Sequence, residues 1–387
     1  MAEEEHKALV VRPSAAVGRA SAGAGSVLSR IVSDALALAR PRATSLASAR
    51  FRIGNYEFRE ADYQQILLWA EALKFDPITV VGRLENAYTE ALDDCTYRID
   101  AFSVENGAIV SVVWDFESLP LSRVEWIEGL SICEIVFQGS RGAPIDISPR
   151  LPSLRRLMVA CNDLTELDLS NVPKLANLYC WGNQLTKLDL SKVPELNVLD
   201  CGRNPHAEFD LSEVPQLREL YCDENELAEL NLSKVPELSA LYCDDNQLTK
   251  LDLSKIPKLS ELNCSVNPLI DLDLSNVPNL GKLICTLNGL TKLDLSNVPE
   301  LSELWCWGNQ LTKLDLSKVP KLSELQCLGN QLTELELSTL TELTELHCWN
   351  NKLTEIDVRQ NRKLKVLKCD PSVLIKKNPS QVFQNGK

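Results

Sequence analysis

Thirteen cysteines and three histidines are the residues here with most chemistry to offer, and the cysteines are not scattered. Ten recur every 21 residues, at 180, 201, 222, 243, 264, 285, 306, 327, 348 and 369. Thiols at fixed spacing could ligate a metal, pair as disulfides or act as nucleophiles. A tetrahedral zinc site needs Cys or His donors converging on one point, commonly supplied by C-x-x-C pairs. The sequence has no C-x-x-C, and no His clusters with the column, so no metal is expected. A nucleophilic Cys needs a base within hydrogen-bond reach. His347 precedes Cys348, but neighbours along a strand point to opposite faces. His206 replaces an expected Leu, at a local bulge, and has no assignable partner. There is no P-loop, no G-x-G-x-x-G, no G-x-S-x-G and no H-E-x-x-H. Neither catalytic residues nor a cofactor are expected. The thiols then read as a column of small buried hydrophobes. Ten thiols in a row, each within disulfide range of the next, suit a reducing compartment.

That column belongs to a 21-residue unit written ten times between Leu154 and Leu364. In the copy LANLYCWGNQLTKLDLSKVPE, Leu175 is position 1, and positions 4, 6, 9, 11, 14 and 16 are Leu178, Cys180, Asn183, Leu185, Leu188 and Leu190. In the first copy Val159 takes the Cys position. Leu178 and Cys180 alternate, as do Leu188 and Leu190, so each unit reads as two short strands joined by tight turns. One such coil cannot bury its apolar rows alone, so neighbours must stack. Stacked strands lie about 4.8 Å apart, which gives ten to twelve coils a length on the order of 50–60 Å. The recurring Asn must find hydrogen-bond partners once buried, and stacked Asn side chains can reach the turn backbones of adjacent coils. Pro194 and its equivalents fix φ just before the next strand.

The pattern LxxLxCxxNxLTxLDLSxxP resembles the leucine-rich repeat family in its short 21-residue bacterial forms, over roughly residues 110–370. The resemblance implies an α/β-type solenoid, an arc of mostly short parallel β-strands, here with a small N-terminal α-helical region. It implies that positions 3, 5 and 7, which flank the buried Leu and Cys, line a concave sheet where partners dock. Those positions vary from copy to copy. Position 5 supplies Tyr179, Tyr221, Tyr242, Trp305 and His347; position 7 supplies Trp181, Asp223, Asp244, Trp307 and Trp349; position 3 is often Glu. Exposed Trp and Tyr are common anchors of protein interfaces, and carboxylates around them favour a basic partner. These ten residues form the candidate partner-binding surface, in two clusters; the competing reading is aromatic stacking that stabilises the sheet.

The rest of the chain frames this array. Residues 1–50 are rich in Ala, Ser and Arg, with too few large apolar residues for a core, and read as a disordered tail; a transit peptide or a type III secretion signal would share that composition, and Val27–Ala39 would suit a short helix. Residues 51–94 form a small helical region. Glu60–Leu73 has apolar residues at helical spacing, and Asp76-Pro77 opens a second helix through Tyr88. The pair is a candidate cap for the solenoid, or else a separate partner-binding module. Residues 95–153 admit two readings: a hairpin turning at Asn106-Gly107, or two degenerate opening repeats that put Ile109, Val112 and Trp114, then Leu130, Cys133 and Ile135, at positions 1, 4 and 6. The solenoid runs over 154–374, with Val373, Leu374 and Ile375 folding over its end, and 375–387 is a C-terminal tail.

The formal charge of −14 excludes the basic stripe of a nucleic-acid binder. No apolar run approaches the ~18–20 residues of a membrane span, and no apolar h-region is read at the start. The chain is also expected to lack the C-terminal ubiquitin-ligase domain of some bacterial relatives. The functional expectation is a non-enzymatic, cytoplasmic protein-interaction scaffold whose protein partner carries a basic patch. The rivals are an exported effector or surface adhesion protein of the internalin type, and an enzyme subunit active in the N-terminal region, where 51–94 hold neither His nor Cys.

Overall fold

The computed structural model describes residues 51–85, 102–106, 108–115, 130–138, 151–205 and 208–383. The chain opens with a small hairpin, β1 (Phe51–Ile53) and β2 (Tyr56–Phe58), turning at Gly54-Asn55 with Gly54 at φ +58°. Helix α1 (Glu60–Leu73) follows. It ends on Lys74, in the left-handed region, whose N–H returns to Ala70 and Glu71. Helix α2 (Pro77–Glu85) is capped by Asp76, which accepts the Thr79 N–H at 2.9 Å and leaves Pro at the first helical position. Trp69 of α1 is fully buried and meets Trp114 edge-on, with ring centroids 5.0 Å apart. Asp62, also buried, accepts the Ile109 N–H at 2.9 Å and pairs with Arg59, whose guanidinium also donates to Ser131. The helices are thus fastened to the first strands of the main sheet by apolar packing and by polar bonds.

The main sheet has 14 strands. Its first pair, β3 (Phe102–Glu105) and β4 (Ala108–Asp115), is antiparallel. β4 pairs on its other edge, in parallel, with β5 (Glu134–Gln138). Hairpin and opening repeat are therefore one object: β4 closes the hairpin and starts the stack. From there every strand is parallel. β6 (Arg156–Met158) and β7 (Asn177–Tyr179) lead into three-residue strands once per coil, ending at Val366–Lys368. Val112, Ile135, Leu157 and Leu178 lie side by side. Ile135 thus holds position 4, not the position 6 expected from sequence, and the fully buried Ile132, not Leu130, is the equivalent of Ile109. The spacing between equivalent residues falls from 23 (Val112 to Ile135) to 22 (Ile135 to Leu157) before the 21-residue period sets in, so the extra residues are shared between both opening coils.

The second strand expected in each unit is mostly absent as a ladder. Among the described residues it pairs only at Lys187–Leu188 with Glu208–Phe209 and at Glu355–Asp357 with Leu374–Lys376. Leu188 and Leu190 still point into the core, but the intervening polar residue turns the backbone on itself. Asp189 accepts the Ser191 N–H, as do Asp168, Asp252, Asp273, Asp294 and Asp315 from Ser170, Ser254, Ser275, Ser296 and Ser317. A side chain that captures a backbone donor two residues on competes with strand pairing. A second turn follows at Val193–Leu196, where Pro194 presets φ and the Leu196 N–H closes onto Val193 at 3.1 Å.

At the C-terminal end Ile375 lies in register with Ile356 and Phe383 packs on the core. The stretch read from sequence as folding over the end, then as a tail from 375, instead adds one more outer strand.

Candidate functional site

The long sheet has a buried side and an open side, and the Asn and Cys columns build the buried one. Asn183 donates to the carbonyls of Cys180 in its own coil and of Val159 in the preceding coil, at 2.8 and 2.9 Å. Its carbonyl accepts the Asn162 and Leu164 N–H groups, each at 3.0 Å. The same stitch recurs at Asn204, Asn225, Asn246 and onward. Cys180 to Cys348 are buried in the same column. Burial pushes their thiols up, Cys264 and Cys306 to about 12, so the nucleophilic thiolate is suppressed.

On the open side the ten candidate residues have different surroundings. Tyr221 and Tyr242 stack at 4.9 Å and 17°. The Tyr242 hydroxyl donates to Glu261 at 2.7 Å, and burial, with that bond second, raises its pKa. Trp305 donates its indole N–H to Glu324 at 2.8 Å, and Lys282 sits 5.9 Å from its ring centre. Trp181 lies under the Arg203 guanidinium at 6.0 Å. Trp307, Asp223 and Asp244 are half-buried, and Trp349 is exposed. His347 is half-buried, its Nε2 2.9 Å from Glu345 without the alignment of a hydrogen bond. Burial, helped by Lys368, lowers its pKa against the opposing pull of Glu345.

Tyr179 departs from expectation. It is 2% exposed, packed with Val113, Val136, Met158, Ala160 and Val198, and Trp181 and Tyr221 lean on that cluster. On its N-terminal side the ladder neighbours are apolar, Met158 and then Val136, while Asp200 flanks it on the other; Tyr242 stands instead between Tyr221 and Asn263. The tyrosine and tryptophan clusters are also distinct: Asn263 and Ile284 stand between Tyr242 and Trp305 in the ladder.

Asp200, absent from the candidate set, is the most perturbed carboxylate of this face. It is 8% exposed, and its pKa is raised to about 7, first by burial and then by Asp223. Asp244 is raised to about 6 by the same two causes. The signal was in the sequence: Asp200 takes position 5, beside the acidic position 7 of the next two coils. Among the described residues no group of His, Cys, Asp or Glu is arranged to hold a metal ion, and no helix is long and apolar enough to cross a membrane.

No family model and no curated protein matches the chain. Solved structures do. The functional domain of InlJ from Listeria monocytogenes, described as including a cysteine ladder, is 29% identical with a TM-score of 0.55, covering 70% of this chain and 67% of that one. The internalin InlF of the same organism is 21% identical with a TM-score of 0.59, covering 70% and 85%. These likenesses join a 21-residue solenoid stitched by Asn and Cys columns. The chain is a leucine-rich repeat protein. The fold likeness extends to the Toll–Spätzle complex of Drosophila, at 16% identity and a TM-score of 0.54, over 70% of this chain and 43% of that one. In this leucine-rich repeat chain the side chains that vary between coils are gathered on one face, and the chemistry available there is contact and charge.

Proposed function

We propose that this leucine-rich repeat protein is a non-enzymatic, cytoplasmic interaction scaffold whose sheet face, concave in this family, holds a protein partner bearing a basic patch. One observation carries the reading: tyrosines and tryptophans that remain partly accessible stand beside carboxylates that crowd one another. Rigid aromatics give contact area at low entropic cost, and a cation from the partner relieves the mutual repulsion of Asp200, Asp223 and Asp244. The test is a pull-down from the source cell's lysate with wild-type protein and a folded Trp305→Ser/Trp307→Ser/Trp349→Ser variant. A partner held by the first and lost by the second supports the reading; equal retention moves the site elsewhere.

An exported, internalin-type role is the second reading, favoured by the likeness to InlJ and its cysteine ladder. Fractionating the source cells and titrating the thiols in each fraction separates the two. Reduced thiols in the soluble cell fraction favour the scaffold; protein recovered outside the cell favours export.

A further inference from the structure

Position 8, just after the sheet face, lies in the left-handed region in every coil from Cys161 to Asn350: Gly182, Gly308, Gly329 and Asn350 do so, and so do Val266 at φ +52° and Leu287 at +51°. Glycine or Asn takes this conformation easily; a β-branched Val is an outlier there. The strain is locked in place, because the Val266 N–H bonds Thr286 O and the Leu287 N–H bonds Trp307 O, each at 2.9 Å. Burial does not explain it, since Val266 is 41% and Leu287 47% exposed. The same two coils replace the usual Thr by Ile270, 71% exposed, and a Gln by Gly289, over which Ile270 leans. Leu287 in turn leans over Gly308, where a Cβ would stand 2.7 Å from Leu287 Cδ2. Three of the seven exposed large hydrophobics among the described residues thus fall in adjacent coils, which sets them apart from scattered surface apolar residues. In the same column the two preceding residues are Glu224 and Asp245; Glu224 pairs with Arg203 at 2.8 Å, and among the described residues no ion pair joins Asp245.

We infer that this rim, apolar at Val266, Leu287 and Ile270 and acidic at Asp245 and Glu224, is a docking strip for a partner segment that carries a cationic side chain followed by an apolar one. The charge sequence along the column selects that occupant. Asp245 and Leu287 are two coils apart, ~10 Å, which an extended chain spans in roughly three residues. The inference rests on the reading of this protein as a binding module, and adds a contact surface beside the sheet aromatics.

Fluorescence anisotropy of the full-length protein with a labelled synthetic peptide, Arg and Leu roughly three residues apart, tests it against Arg→Glu and Leu→Ser versions. The Arg/Leu peptide is expected to bind about tenfold tighter than either, and Val266→Asn/Leu287→Asn is expected to erase that preference. Asn accepts positive φ, so this variant is expected to melt at or above the wild-type temperature; loss of binding is then not loss of fold. A wild-type protein that does not discriminate the peptides, or a double variant that binds as wild type does, overturns the inference. Binding lost in the tryptophan variant but kept in the rim variant leaves the sheet-face reading standing and the rim assignment refuted. Self-association in sedimentation equilibrium, abolished by the rim substitutions, assigns the strip to a second copy and overturns the choice of occupant.

Discussion

A single Asn side chain does more here than any contact between large residues. Asn246 donates to Cys222 O, Cys243 O and Asp244 O, and accepts from the Asn225 and Leu227 N–H groups. Asn246→Ala leaves several of these groups buried and unpaired, at about 1–3 kcal/mol each. The neighbouring Gln247 is exposed, so Gln247→Ala should stay within ~0.5 kcal/mol. Equal denaturant midpoints for the two variants would contradict the stitching role. Val266→Asn should move stability the other way, up by about 1 kcal/mol, because it removes left-handed strain from a β-branched residue; a lower midpoint would mean that the Val side chain holds the coil. Asp200 makes stability depend on pH. Its folded pKa of about 7 lies above the ordinary 3.8, so the folded state binds the proton more tightly than the unfolded chain. That contribution is complete below about pH 4 and is lost as pH rises through 7. The groups around it are Asp223 and Arg203, and the Gly202 N–H donates to it. Relative to Asp200→Asn, the wild type should lose stability as pH rises from acid to neutral; identical profiles would show that the folded pKa of Asp200 is not raised.

At the scale of elements, residues that repeat were legible and residues that depend on neighbours were not. The Leu, Cys and Asn columns declare their direction because the same alternation recurs in every copy. Glu60–Leu73 and the start at Pro77 were legible from helical spacing and from a capping Asp. The β1–β2 hairpin carries only a short signal, Gly54-Asn55 between two three-residue strands. The second opening coil falls two residues away from the sequence expectation, which follows the 21-residue step from Ile109 to Leu130, because the ladder is set by fully buried Ile132 and Ile135. The outer row was read as strand from its alternation, and the Asp-x-Ser bond that bends it leaves no trace in hydropathy. Tyr179 and Tyr242 hold the same position in their coils, yet one is buried and the other accessible. That difference comes from side chains contributed by neighbouring coils, Met158 and Val136 among them. The attachment of α1 to β4 has a direct test. Trp69→Ala opens a cavity against Trp114 and should cost about 3–5 kcal/mol, with loss of the near-ultraviolet dichroism of the pair; a variant melting like wild type would separate the helices from the solenoid core.

For the molecule as a whole, the uninterrupted row of buried thiols and the face of variable aromatic and acidic side chains are two sides of one sheet. Nine cysteines, from Cys180 to Cys348, are buried, while Cys161 is exposed and Cys133 and Cys369 are half-buried. Under native conditions a thiol reagent should label the latter three and reach the nine only on denaturation; fast labelling of the nine would show that the stack opens readily. The open face is the one we propose binds. A photo-crosslinking side chain in place of Gln326, on that face beside Trp305 and His347, is compared with one in place of Lys318, exposed in the outer turn. A partner crosslinked from position 326 and none from 318 is the expected result. A partner captured from 318 and not from 326 would contradict it.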